Sequence, residues 1–457
     1  MNVRTRIAPS PTGENLHIGN VYAALLNFAV AKKNNGKFIV RIEDTDRTRF
    51  VSGSEDRILD SLSWLGLTPD ESPRANGPFA PYRQSQRLNL YHEYAQKLLE
   101  SGDAYFAYFP KEGSGQKKDY TKKENLEVSV TDATARSDAP KKIEDMPENG
   151  DWVIKLKVPK DIHISFTDLI HGEIRFNAND VTDQVLIKSD KYPTYHFAVV
   201  VDDHLMEISH IIRAEEWISS TPKHVLLFRA FGWDLPIFAH IPILRNPDKS
   251  KLSKRKNPVW VSWYREEGFL PEAILNYLVL MGWGHPQEKE IFPLSEFIEK
   301  FQLSDVKPVG PVFDIEKLKW MNGEYIRQMT DVQLIEKLTE FFKDDKEVLT
   351  ILKLEASLVA LAKTRLKTLK EFRELVIPIQ VELSPEEKAV KQTIREEFEK
   401  IIDWNKDTIL SAMKIVLQRN KVKGSLLYKI MTGYERGLPL PESLEILGKE
   451  KTLQRLS

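Results

Sequence analysis

The chain has 457 residues, enough for several domains with large cores, and its 66 Lys and Arg against 67 Asp and Glu leave it near neutral. A nucleic-acid partner would have to be met by local basic patches, since net charge supplies no general attraction to phosphate. Cysteine is absent, which excludes disulfides, thiolate zinc sites and cysteine nucleophiles; with no run of about 18 apolar residues and no basic-then-apolar leader, a soluble, unexported, cytoplasmic protein is expected. Val3 to Ala8 is a short β-rich run, Pro9 to Gly13 is dense in turn residues and Val21 to Lys33 has helical spacing, so the chain opens as strand, tight loop, helix. Such a loop presents free backbone N–H groups and the positive end of a helix dipole, for which phosphate is the natural guest. His17 stands beside it as a hydrogen-bond donor, and Gly19 removes a side chain where a ring or phosphate comes close. The same turn chemistry is common before helices that bind nothing.

Lys37-Phe38-Ile39-Val40-Arg41-Ile42 reads as a second strand, completing a β-α-β unit and implying a parallel sheet. It runs into Glu43-Asp44-Thr45-Asp46, at the carboxyl edge where such sheets bind ligands. Residues 55–67 and 86–102 have helical spacing. Between Phe109 and Asp151 the composition turns polar and lysine-rich, which predicts an inserted domain interrupting the sheet. The sheet is expected to resume at Val185-Leu186-Ile187-Lys188 and again at Tyr195 to Val201, whose run, apolar but for His196, suits a central parallel strand buried on both faces. Asp202, Asp203 and His204 at its end have side chains that could also suit a metal. Ile211 to Trp217 reads as a strand followed by a helix start. Asn246 to Lys256 is a basic loop able to lay ammonium groups along a phosphate chain. Leu270 to Trp283 and Glu316 to Arg327 look helical, and beyond Thr330 strand signals fade into helical stripes such as Leu334, Ile335, Leu338 and Ile409, Met413, Val416.

His17-Ile18-Gly19-Asn20 together with Lys251-Leu252-Ser253-Lys254-Arg255 resembles the HIGH and KMSKS signatures of class I aminoacyl-tRNA synthetases. Asn20 replaces the final histidine, a departure that glutamate-specific members often show. Arg41-Ile42-Glu43-Asp44-Thr45-Asp46-Arg47 is similar to a block of glutamyl- and glutaminyl-tRNA synthetases, and the helical C-terminal part resembles the bacterial glutamyl type. The resemblance implies an α/β fold: a Rossmann-type parallel-sheet catalytic domain in two halves (1–105 and 185–240) around an inserted acceptor-binding domain (106–184). A loop and stem-contact domain (241–329) and an all-helical anticodon-binding region (330–457) would follow.

It further implies ATP-dependent activation of L-glutamate and its transfer to the 3′ end of tRNA(Glu), with Mg²⁺ accompanying ATP. By the same likeness His17 and Lys254 would be catalytic, and His17, Gly19, Glu216, Leu244, Lys251, Lys254 and Arg255 would hold ATP. Arg6, Ala8, Ser10, Glu43, Tyr195 and Arg213 would line the glutamate site, and Asp202, Asp203 and His204 would shape its floor instead of holding a metal. Charge supports part of this: a buried side-chain carboxylate needs cationic donors, and Arg6 and Arg213 can offer paired N–H groups to it, the alternative for each being a surface ion pair. Many bacterial relatives carry cysteine zinc ligands after Ala104-Tyr105, but Phe106, Ala107, Tyr108 and Phe109 stand here, so no zinc is expected. Neither a P-loop nor an H-E-x-x-H motif is present to suggest rival chemistry. A monomer without membrane contact is expected.

Overall fold

β1 (Arg4–Ile7) and β2 (Lys37–Val40) pair in parallel, Arg4 opposite Lys37 and Ile7 opposite Val40, with α1 (Ile18–Lys33) between them in the chain. The computed structural model describes residues 2–108, 139–148, 150–253 and 258–457. Lys254 and Arg255, together with Phe109 and most of the polar stretch after it, lie outside the described residues. α1 is buried on nearly every side, from Val21 to Ala31, as a helix apolar all round must be. Behind it Gly36 is required: a Cβ there would come within 2.1 Å of the Val3 carbonyl oxygen.

The chain continues through α2 (Ser54–Trp64), α3 (Leu88–Ser101), β3 (Ala104–Tyr108) and β4 (Trp152–Leu156). Next come β5 (His163–Asp168), β6 (Gly172–Asn177), β7 (Val185–Ile187), α4 (Tyr195–Leu205), β8 (His210–Ala214), α5 (Thr221–Ala230) and β9 (Ile237–Ile241). β8 and β9 are parallel over their whole length, β9 meets β5 in parallel at Asp168 opposite Phe238, and β6 closes the edge as the antiparallel partner of β5. The Ser209 N–H donates to the Arg4 carbonyl (3.0 Å) and the Arg4 N–H to Ser209 Oγ (2.8 Å), laying β8 alongside β1. Parallel strands under buried helices give the α/β architecture expected of the sequence.

Two details differ from the sequence reading. Tyr195–Val201, expected as a central strand, forms the first turns of α4, packed against α3, α5 and β7. Phe197 to Asp203 are all buried, and a helix covered on every side shows the same unbroken apolar run as a strand covered on both faces. The central position falls to β9, Ile237-Phe238-Ala239-His240-Ile241. β7 forms where expected, but it pairs antiparallel with β4 in a separate sheet of order β3-β4-β7.

After β9 every described element is helical: α6 (Val261–Glu266), α7 (Pro271–Gly282), α8 (Leu294–Lys300), α9 (Ile315–Gln328), and on from α10 (Asp331–Phe341) to α18 (Lys449–Arg455). Capping boxes at Thr330 with Gln333, Ser384 with Glu387 and Asn405 with Thr408 start three of these. The chain divides into two compact units, Met1–Ser262 with Leu278–Phe313 and Trp263–Tyr277 with Asp314–Ser457. Among the described residues no helix is long and apolar enough to cross a membrane.

Candidate active site

α1 begins at His17, an extended residue (φ −77°, ψ 139°) whose Nδ1 accepts the Gly19 N–H at 3.0 Å. A Cβ on Gly19 would stand 3.1 Å from that nitrogen, so glycine is what lets the imidazole cap its own helix. With Nδ1 accepting, the proton of the neutral ring is on Nε2. Burial, reinforced by Lys251 and opposed by Glu216, holds the His17 pKa down to about 4. The ring is therefore a neutral donor at physiological pH.

Both described ends of the basic loop are fastened near this imidazole. Downstream, Ile18 N–H donates to Val259 O (2.7 Å), Val261 N–H donates to Leu16 O (3.0 Å), and the Trp260 ring meets His17 edge-on at 6.0 Å. Upstream, Leu252 N–H donates to the carbonyl of buried Leu244 (3.0 Å), and Lys251 Nζ lies 2.5 Å from Glu216 Oε2. His17, Gly19, Glu216, Leu244 and Lys251 are thus gathered at one edge of the sheet, and Lys254 and Arg255 belong to the undescribed span between Ser253 and Pro258.

A second cluster lies at the carboxyl ends of β1 and β2. Arg6 donates to both oxygens of Asp203, from Nε at 3.0 Å and from Nη2 at 2.9 Å, and Arg41 donates from Nη1 to the same carboxylate at 2.9 Å. Asp202 accepts from Arg87 (2.7 Å), Gln84 (2.9 Å) and Tyr91 (2.8 Å). Both aspartates are thereby spent on these partners, while the His204 ring stacks on Trp233 at 3.7 Å; among the described residues no group of acids and imidazoles is arranged to hold a metal. Glu43 is 8% exposed, its Oε1 has no hydrogen-bond partner, and Arg41 Nη2 stays 3.5 Å away. Burial pushes its pKa up to about 7 against the pull of Arg41 and Arg6.

Arg213 is built differently from Arg6. It donates from Nε to His240 Nε2 (3.1 Å), from Nη1 to His224 Nδ1 (3.2 Å) and from Nη2 to Thr221 Oγ1 (2.9 Å), and among the described residues no carboxylate comes within ion-pair distance. Tyr195, whose ring packs 4.5 Å from that of Trp217, has its hydroxyl pKa raised by burial and feels the charges of Arg213, Glu43, Arg6 and Asp203. Half-buried Ala8 and exposed Ser10 flank Pro9, whose carbonyl accepts the Glu43 N–H at 3.1 Å. Arg6, Glu43, Tyr195 and Arg213 therefore surround one place, with Ala8 and Ser10 in the loop beside it.

Residues 2–320 match the family described as tRNA synthetases class I (E and Q), catalytic domain, and residues 333–457 match an anticodon binding domain. The chain belongs to the class I tRNA synthetases of the E and Q type. This synthetase is 44% identical to the glutamate–tRNA ligase of Thermus thermophilus over 99% of each chain. It is 40% identical to that of Deinococcus radiodurans over 99% of this chain and 97% of the other. In three dimensions it is similar to a glutamate tRNA ligase from Elizabethkingia meningosepticum solved in complex with its amino acid, with a TM-score of 0.76 and 33% identity, covering 100% of this chain and 98% of that one. In the synthetase the side chains that sequence reasoning passed over are Arg41, Thr221, His224, His240 and Trp260. Arg41 stood inside the quoted Arg41–Arg47 block, and nothing local marked the other four.

Proposed function

We propose that this synthetase is a glutamate–tRNA ligase: it condenses L-glutamate with ATP to glutamyl-adenylate and diphosphate, then transfers the glutamyl group to the 3′ end of tRNA(Glu), releasing AMP. The observation that carries the choice of amino acid is the pairing of Arg213, a buried cation answered by neutral acceptors, with Glu43, a buried carboxylate whose Oε1 accepts no hydrogen bond and has Arg41 only at 3.5 Å. Buried charges left in this way are costly, and a ligand bringing both a carboxylate and an ammonium relieves both costs. Glu43 would take the α-ammonium and Arg213 the side-chain carboxylate, with Tyr195, Ala8, Ser10 and Arg6 around them. The amide of glutamine would turn an N–H donor toward a guanidinium that has only donors to offer.

The α-carboxylate, already ionised, attacks the α-phosphorus of ATP and diphosphate departs, so the protein's task is positioning and charge stabilisation. His17 would donate from Nε2 to a phosphate oxygen; Gly19, Glu216 and Leu244 would line the nucleotide. Lys251, Lys254 and Arg255 would neutralise the phosphate chain. Lys251 is held by Glu216 until then. Mg²⁺ would enter on the ATP phosphates and supply counter-charge there; among the described residues no group of acids and imidazoles is arranged to hold it. The terminal adenosine hydroxyl of tRNA then attacks the mixed anhydride, and AMP leaves.

Glutamate-dependent ATP–diphosphate exchange, measured with and without tRNA(Glu), tests this reading. Exchange is expected only with tRNA present, because the family usually completes its amino-acid site on tRNA; equal rates would reject that coupling, and no charging of tRNA(Glu) at all would reject the function. Lys254→Ala should abolish exchange and leave thermal unfolding unchanged.

A further inference from the structure

Arg213, on β8, is held by side chains of β9 and α5, the first of them fixed in turn by Asp168 of β5, that the adenylation chemistry does not itself use. Asp168 closes β5: its Oδ2 accepts the backbone N–H of His240 (3.0 Å) and the ring Nδ1–H of His240 (2.6 Å), and its Oδ1 accepts the N–H groups of Ile170 (2.9 Å) and His171 (3.0 Å). Burial works to raise the Asp168 pKa, but these bonds outweigh it and hold the group below its ordinary range as an acceptor only. His240 must then carry its proton on Nδ1, which leaves Nε2 bare, and that nitrogen accepts from Arg213 Nε. On α5, Thr221 Oγ1 donates to Trp217 O (2.9 Å) and accepts from Arg213 Nη2, while His224 Nδ1 accepts from Nη1. The Nε2–H of His224 then donates to His196 Nδ1 at 3.0 Å. Burial first, and the charge of Arg213 second, hold His224 well below its ordinary pKa, so the ring is neutral.

The result is a guanidinium fixed in direction by three acceptors, none of which cancels its charge. A carboxylate in their place would fix it equally well but neutralise it, as Asp203 does to Arg6. We propose that Asp168, His240, Thr221 and His224 are positioning residues that aim Arg213 at the side-chain carboxylate of the amino acid and leave its charge unspent, and so set the preference for glutamate over its neutral amide. This rests on the assignment of Arg213 to the glutamate site.

Two pairs of variants on different elements test it in the full-length enzyme with tRNA(Glu) present. His240→Phe fills the ring space without an acceptor, and His240→Gln can return an oxygen to the Nε2 position; His224→Leu and His224→Asn do the same for Nδ1. Loss of one charge-assisted acceptor should raise KM for glutamate about tenfold or more and narrow glutamate-over-glutamine discrimination. KM for ATP should stay within about twofold, and the Gln and Asn variants should recover most of the loss. Folded Phe and Leu variants with unchanged glutamate KM, or with losses shared equally by glutamate and ATP, would overturn the proposal. Arg213→Gln separates the two ideas: if it too leaves glutamate KM unchanged, the site assignment fails, whereas if it raises KM and the histidine variants do not, the positioning role alone fails.

Discussion

Glu43 gives the enzyme a pH dependence that can be worked out from one side chain. With a pKa raised by burial to about 7, it is protonated below that pH in the unliganded protein and ionised above it. Only the ionised form can receive an α-ammonium, so glutamate affinity should be full above pH 7 and fall by up to about tenfold per unit below it. Glutamate itself does not titrate in that window. KM for glutamate should therefore rise between about pH 8 and pH 6 in the native enzyme, whereas Glu43→Gln should give a KM that is higher throughout and flat; a parallel slope in the variant would assign the titration to another group. His17 contributes no such slope, since its pKa of about 4 keeps it neutral across the range. His17, Gly19 and Glu43 were legible because each belongs to a short motif. The pairing of Arg6 and Arg41 with Asp203 was not, since the partners stand 197 and 162 positions apart and nothing in either segment names the other.

Among the elements, α4 ties the sheet to its surroundings through two consecutive acids. Asp203 reaches Arg6 of β1 and Arg41 just past β2, and Asp202 reaches Tyr91 of α3 and Arg87 at its N-cap, all of them buried. Removing one side of a buried ion pair leaves an unanswered charge, and Asp203→Asn would take from Arg6 its carboxylate partner and from Arg41 the nearest of its three, Asp202 and Glu43 standing 3.5 Å away. Unfolding in urea should show a loss of about 3–5 kcal/mol for Asp203→Asn. Glu216→Gln breaks a short ion pair too, but its partners Lys251 and Glu216 are 59% and 41% exposed, and it should cost less than about 1 kcal/mol. A loss for Asp203→Asn as small as that would mean water reaches the cluster. These same acids follow the apolar run Phe197 to Val201 that reads as strand; the run is too short for its period to be read, and burial on all sides erases the alternation that separates strand from helix. The helices after Thr330 were legible because their stripes are one-sided and their caps, Thr330 with Gln333 and Ser384 with Glu387, are written in the sequence.

For the molecule as a whole, the second unit is discontinuous: residues 263–277 pack with 314–457. Leu270, Ala273 and Ile326 belong to one buried cluster with Leu334, Leu338, Val359, Leu366 and Phe372. The backbone shares in it, since Leu369 N–H donates to Gly268 O at 2.9 Å, and Asn322 bridges Leu270 N–H (2.7 Å) and Lys367 O (2.6 Å). Gly268 permits that approach, because at φ +77° a Cβ would come within 2.6 Å of the Lys370 backbone nitrogen. The periodicity of Leu270 to Trp283 announces a helix, but not which core its apolar side fills, because partner choice is written in shape and not in period. A chain ended at Met329 would keep every candidate nucleotide and glutamate residue and yet leave Leu270, Ala273 and Ile326 without the side chains that cover them, together with the unpaired Gly268 carbonyl and Asn322 amide. Such a chain should bind a hydrophobic dye and aggregate on warming where the full-length protein does neither. Leu270→Ala in the full chain should cost about 2–5 kcal/mol of the second unit's stability, the range for a buried leucine whose cavity closes only in part. If the shortened chain stays soluble and dye-free and Leu270→Ala is neutral, residues 263–277 do not depend on the helices after Thr330 for their burial.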